Sequence, residues 1–236
     1  MPIKDEKEII LEPGSAITGL VREDQKEGEI VHRYFPFGPI LAKTMVDPKL
    51  CEELLRRADK THLDNRSTLA GHIDKENSFE KPDIQWFIEN FKQYFNPYFE
   101  TFERMVEPDG SHGYKKITGI NIMNLWVNYM KAGEFNPPHT HGSDFSFVLY
   151  LQVPEGLKQE EQDYKGVGTG PGAIAFYYGE WQKLVRTEHH FMPESGMMFI
   201  FPAKLRHTVP PFKCEGTRIS VSGNIELLGE VSYKGW

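Results

Sequence analysis

From about Ile117 onward, short apolar runs predict strands at Thr118–Met130, Phe145–Val153, Ala173–Tyr178, Met197–Phe201 and Thr217–Leu227. Gly, Pro and charged residues separate them, and Gln159–Gly172 (QEEQDYKGVGTGPG) reads as a polar, glycine-rich loop. The preceding stretch has a helical period. Asp47 is a good N-cap, Pro48 suits the first helical position, and Leu50, Leu54 and Ala58 recur at helical spacing to about Lys60. A second helix begins near Pro82, with Ile84, Phe87, Ile88, Phe91 and Phe95 as its apolar stripe. Pro97 should kink or end it, although Tyr98, Phe99 and Phe102 continue the pattern. These aromatics read as core.

The segment Leu63–Glu80 is polar and predicts irregular structure, while Tyr34–Thr44 predicts an early strand broken by Pro36 and Gly38. Residues 1–30 read as an arm, with one short strand at Glu8–Leu11. The expected organisation is that arm followed by one α+β domain over 31–236. Within it, helical support spans about 47–107 and a β core about 117–228. The two helices would either pack on the sheet's outer face or form a homodimer surface.

Composition narrows the function classes. The 236 residues suffice for one large core, and the high aromatic content favours β structure. A net charge of −7 with no basic stripe argues against a nucleic-acid partner. Cys51 and Cys214 lie far apart without zinc-type spacing, so both read as buried or partly buried thiols. No apolar stretch is long enough to span a bilayer, and the N-terminus lacks the apolar run of a signal peptide. The expectation is a cytoplasmic protein with no membrane partner.

Nine histidines are present, and most carry no pattern. His139 and His141 flank one residue in PPHTHGSDF, just before an apolar strand. Positions i and i+2 of an extended chain face the same way, so the pair can aim two imidazoles at one point. Asp144 follows three residues later. Downstream, the apolar run ending FIFP is followed by Leu205-Arg206-His207, and then by Arg218-Ile219-Ser220 on the last strong strand. His189 and His190 are adjacent, so a strand would turn them to opposite faces. They and His112 read as loop or surface residues.

The order HxH, strand, loop, strand, FP-x4-H, RxS resembles the 2-oxoglutarate/Fe(II)-dependent oxygenases, especially the prolyl-hydroxylase-like branch. The stretches HTHGSDFSFVLYLQVP and PESGMMFIFPAKLRHTV carry the resemblance, which covers roughly Asn121–Ile225. It implies a double-stranded β-helix (jelly-roll) core and a dioxygenase that turns 2-oxoglutarate and O2 into succinate and CO2 while hydroxylating a C–H bond. It implies Fe(II) on His139 and His207. It implies 2-oxoglutarate held by Arg218 and Ser220, with Tyr129 and Tyr150 at positions where the branch places cosubstrate-contacting tyrosines. The implied substrate is a peptide, protein or small molecule, with Leu63–Glu80 and Gln159–Gly172 as lids. One departure stands out. The family's carboxylate two residues after the first histidine is here His141, leaving the third ligand as His141, Asp144 or neither. A cupin-like metal protein and a non-catalytic jelly-roll module are the rival readings.

Overall fold

A computed structural model describes residues 38–105 and 114–231. The proposed arm at 1–30 and its strand, and His112, lie outside the described residues. After strand β1 (Ala42–Met45), helix α1 spans Pro48–Ala58. Asp47 caps it as expected, its carboxylate accepting from the Lys49 N–H at 2.8 Å. Helix α2 spans Lys81–Met105 and runs through Pro97. A proline inside a helix costs a backbone hydrogen bond and on the order of 3 kcal/mol. Burial offsets it: the rings of Tyr98, Phe99 and Phe102 all pack edge-on around Phe145, at centroid distances of 5.5, 5.2 and 5.0 Å.

The strands form two facing sheets. The larger has the order β1, β9 (Met197–Pro202), β6 (Phe145–Gln152), β11 (Arg218–Val231), β4 (Tyr114–Met130), β3 (Glu76–Ser78) and β2 (Leu63–Asp64). The smaller runs β5 (Asn136–His139), β10 (Arg206–Val209), β7 (Ile174–Tyr177) and β8 (Glu188–Phe191). Every strand pair is antiparallel. This is the jelly-roll core that the resemblance implied, with helical support.

Strand periodicity divides the interior into two cores. Leu125, Val127, Phe147, Leu149, Val221 and Ile225 join the helix residues Phe87, Phe91 and Phe95 on the outer face of the large sheet. Val148, Tyr150, Phe199 and Phe201 face the small sheet, meeting Ile174, Phe176 and Val209. Strand β6 feeds both, which is why it reads as an almost unbroken apolar run. The two helices therefore pack on the sheet.

Two segments differ from the sequence reading. Leu63–Glu80 is not irregular throughout, because β2 and β3 extend the large sheet beyond β4. Their few residues are too polar to show a strand period. The stretch read as the loop Gln159–Gly172 is entered by helix α3 (Leu157–Asp163), which buries only Leu157. Glu160 of α3 accepts the backbone N–H groups of Lys213 and Cys214, tying the helix to the chain before β11.

Candidate active site

Between the two sheets lies a cavity whose walls include His139, His141, His207, Tyr150, Arg218 and Ser220. Strand pairing assembles its histidine end. In the antiparallel register of β5 on β10, His139 stands directly opposite His207. His141 follows two residues after β5 and is anchored by its N–H to the Ala203 carbonyl at 2.8 Å. One ligand atom from each of the three histidines lies within 4.8 Å of the others, the only such metal-type group among the described residues.

The tautomers suit a metal. His139 Nδ1 lies 2.8 Å from the Pro137 carbonyl, and His207 Nδ1 lies 2.9 Å from the Leu205 carbonyl. A carbonyl only accepts, so both Nδ1 atoms carry the proton and both Nε2 atoms hold a free lone pair. The Nε2 atoms of His141 and His207 approach to 3.3 Å. Two lone pairs that close repel unless a proton or a cation sits between them. Burial, and then the neighbouring histidine, push His141 down to about 4. The same causes push His207 down to about 3. Burial lowers His139 as well. All three are neutral imidazoles near pH 7, the form that ligates metals.

The other end is cationic. Arg218 is 2% exposed, and one Nη donates to the Gly172 carbonyl at 3.0 Å. Its Nε is buried without a partner, and no carboxylate among the described residues pairs with it. Its guanidinium carbon lies 5.3 Å from the centre of the Tyr150 ring, and the Tyr150 hydroxyl is also buried without a partner. An unpaired buried charge costs several kcal/mol, roughly 3–5 when a partner is stripped away. The cluster therefore lacks an anion with hydrogen-bond acceptors, and a dicarboxylate fits. Ser220, two residues beyond Arg218, lies on the same face of β11 and lines the same cavity.

Two expected residues are placed elsewhere. Tyr129 pairs with Ile219 across β4 and β11, so alternation turns it to the helix side, away from the face that carries Arg218 and Ser220. There its hydroxyl meets Asp59 at 3.3 Å and its ring receives Lys75. Asp144 is outside the histidine group. Its carboxylate accepts the Leu227 N–H at 2.8 Å, and its backbone pairs with Ile225 and Ala203. Pinned to β11 in this way, it leaves His141 as the third metal-type donor. His189 and His190 are exposed on β8, apart from the site.

The sequence reading missed the remaining wall. Asn124, Trp126 and Asn128 of β4, Asn65, and Glu76 of β3 all line the cavity. The alternation in N-L-W-V-N along β4 carried this information, because its polar positions share one face. Glu76, in a three-residue strand, offered no pattern.

The architecture is a double-stranded β-helix whose cavity has three histidines, one buried and two half-buried, grouped as metal donors could be, and a buried arginine in the same cavity. Residues 124–224 match the family described as "Putative 2OG-Fe(II) oxygenase". The match covers less than half of the chain, and over this stretch the chain is similar to the 2-oxoglutarate/Fe(II) oxygenases, a family whose cofactors are Fe(II) and 2-oxoglutarate. The fold is similar to that of the viral collagen prolyl hydroxylase from Paramecium Bursaria Chlorella virus-1 in its 2OG complex. The TM-score is 0.50 at 17% identity, covering 78% of this chain and 94% of that one. It is also similar to a Trichoplax adhaerens prolyl hydroxylase in complex with a hypoxia inducible factor oxygen degradation domain peptide fragment. There the TM-score is 0.50 at 13% identity, covering 81% of this chain and 83% of that one. A search of proteins with curated functions gives no significant match.

Proposed function

We propose that this protein hydroxylates a C–H bond using Fe(II) held by His139, His141 and His207. 2-Oxoglutarate would be anchored through its distal carboxylate by Arg218, Tyr150 and Ser220. The observation that carries the reading is the pairing of three convergent neutral imidazoles with a buried, unpaired guanidinium in one cavity. When bound, the iron and cosubstrate supply the oxidising chemistry, in which O2 is consumed, 2-oxoglutarate becomes succinate and CO2, and the substrate gains one hydroxyl oxygen.

The chain's own residues do the rest. The Pro137 and Leu205 carbonyls fix two imidazoles with Nε2 facing the metal position. Three protein donors leave coordination positions open for a bidentate oxoacid and O2. Arg218 offers a planar fork to a carboxylate, and the Tyr150 hydroxyl is free to donate a further bond. Phe176 and Phe201 pack against His207, at centroid distances of 6.0 and 4.9 Å, and exclude water from that side. A metal-binding jelly roll without an oxoacid would leave Arg218 uncompensated, which disfavours the cupin-like reading. A peptide substrate fits the Trichoplax neighbour's bound peptide.

The test is an anaerobic titration of the Fe(II) protein with 2-oxoglutarate, following visible charge-transfer absorption. A new band that disappears in His139→Ala and His207→Ala, and needs more cosubstrate in Arg218→Ala, supports the reading. Iron binding with no band at any 2-oxoglutarate concentration removes the oxygenase and favours a metal protein of another kind.

A further inference from the structure

The cavity has a wall that serves neither the histidines nor Arg218. Glu76 lies in it, only 3% exposed. Two amides hold its carboxylate. Asn65 Nδ2 donates to Oε1 at 2.7 Å. The amide of Asn128 is satisfied when its nitrogen donates to Glu76 Oε2 at 2.6 Å and its oxygen accepts from Trp126 Nε1 at 3.1 Å. The carboxylate is thus oriented through both oxygens, and each oxygen retains acceptor capacity.

No Lys, Arg or His among the described residues forms an ion pair with Glu76. Its one charged neighbour of consequence, Asp64, has the same sign. Burial pushes Glu76 up to about 7, which marks a carboxylate without countercharge. A second acceptor stands open in the cavity wall: Asn136 Oδ1 is buried and has no partner. The wall therefore presents a carboxyl group without countercharge and an unpaired carbonyl.

We propose that Glu76 is a substrate-recognition residue that receives a cationic nitrogen, an ammonium or guanidinium, carried by the molecule to be oxidised. The assignment rests on the oxygenase reading above, because it is that reading which makes the cavity a substrate site. A cation supplies the missing charge, holds the carboxyl ionised, and carries several N–H donors for the acceptors of this wall. A neutral alkyl group satisfies neither. Asn65 and Asn128 act as positioning residues that hold the carboxylate in one orientation.

The experiment uses the full chain loaded with Zn(II), which does not turn over with O2, and with 2-oxoglutarate. Calorimetric binding of 2-oxoglutarate to this preparation checks the underlying reading by itself. Three probes are then titrated and followed by ligand-observed NMR: butylammonium, butylguanidinium and the neutral isostere butylurea. The wild type is expected to bind at least one cation more tightly than butylurea, and the two cationic arms distinguish ammonium from guanidinium. In Glu76→Gln that cation should bind at least about ten-fold more weakly, as expected when one side of a buried charge pair is removed. Butylurea and 2-oxoglutarate affinities should stay unchanged. A wild-type protein that prefers neither cation over butylurea overturns the assignment, and this comparison needs no variant to fold. A Glu76→Gln protein that keeps the cation preference, or loses 2-oxoglutarate or metal instead, also overturns it, assigning Glu76 to the metal centre or to the fold.

Discussion

At the scale of single residues, the site depends on which donors reach the metal position. Asp144 is engaged by the Leu227 N–H, whereas His141 faces His207 at 3.3 Å between Nε2 atoms. His141→Ala should therefore weaken Fe(II) or Zn(II) binding by at least about ten-fold, since even loss of a supporting bond to a ligand costs that much. Asp144→Asn should leave metal affinity within about two-fold while lowering stability. Competition against a colorimetric chelator measures both. The same histidines set a pH dependence. Their folded pKa values lie below the unfolded value of about 6.5, so below that pH the unfolded chain takes up protons first. Stability of the metal-free protein is whole above about 6.5 and falls as the pH drops toward about 4, by up to roughly 1.4 kcal/mol per pH unit for each buried histidine. Urea unfolding between neutral and mildly acidic pH should show this slope, and His207→Gln should remove part of it. A flat profile would mean the imidazoles are more hydrated than their burial indicates.

At the scale of elements, strand alternation decides what each side chain can reach. Arg218 and Ser220 share a face with Asn128, and Ile219 shares the opposite face with Tyr129. The HxH and RxS spacings were legible because they obey this period of two. Tyr129 was misplaced because its distance along the sequence from His139 says nothing about which face of β4 it occupies. The short strands β2 and β3 were illegible for a related reason: two or three polar residues show no period, and only pairing with the edge of β4 makes them strands. Gly172 carries an element-scale prediction. Its φ is +66°, an added Cβ would stand 2.8 Å from Leu157 Cδ1, and its carbonyl accepts from Arg218. Gly172→Ala should lower the melting temperature and raise the 2-oxoglutarate dissociation constant several-fold, with metal affinity retained. Calorimetry on the Zn(II) protein separates the two effects.

At the scale of the molecule, the two sheets hold the histidine group and Arg218 in one cavity, so under the proposed function the two ligands should stabilise the fold together. A ligand at about 100 times its dissociation constant adds roughly 2.7 kcal/mol, which for a chain of this size is a rise of about 5–10 °C in melting temperature. Metal should give such a rise by itself, and 2-oxoglutarate should add a further rise that depends on metal. A 2-oxoglutarate effect of equal size without metal would place the oxoacid on Arg218 alone.

The amino-acid sequence by itself determined the α+β division, the helix stripes, the long strands, and the histidines and arginine whose spacing follows a local period. Such patterns are local because backbone geometry repeats every two or 3.6 residues. Tertiary structure decided what depends on contacts between distant segments. It placed His139 opposite His207, drew Asp144 away to β11, turned Tyr129 toward the helices, and brought Glu76 and Asn136 into the cavity. No repeat along the chain encodes those pairings; they follow from which strand lies beside which.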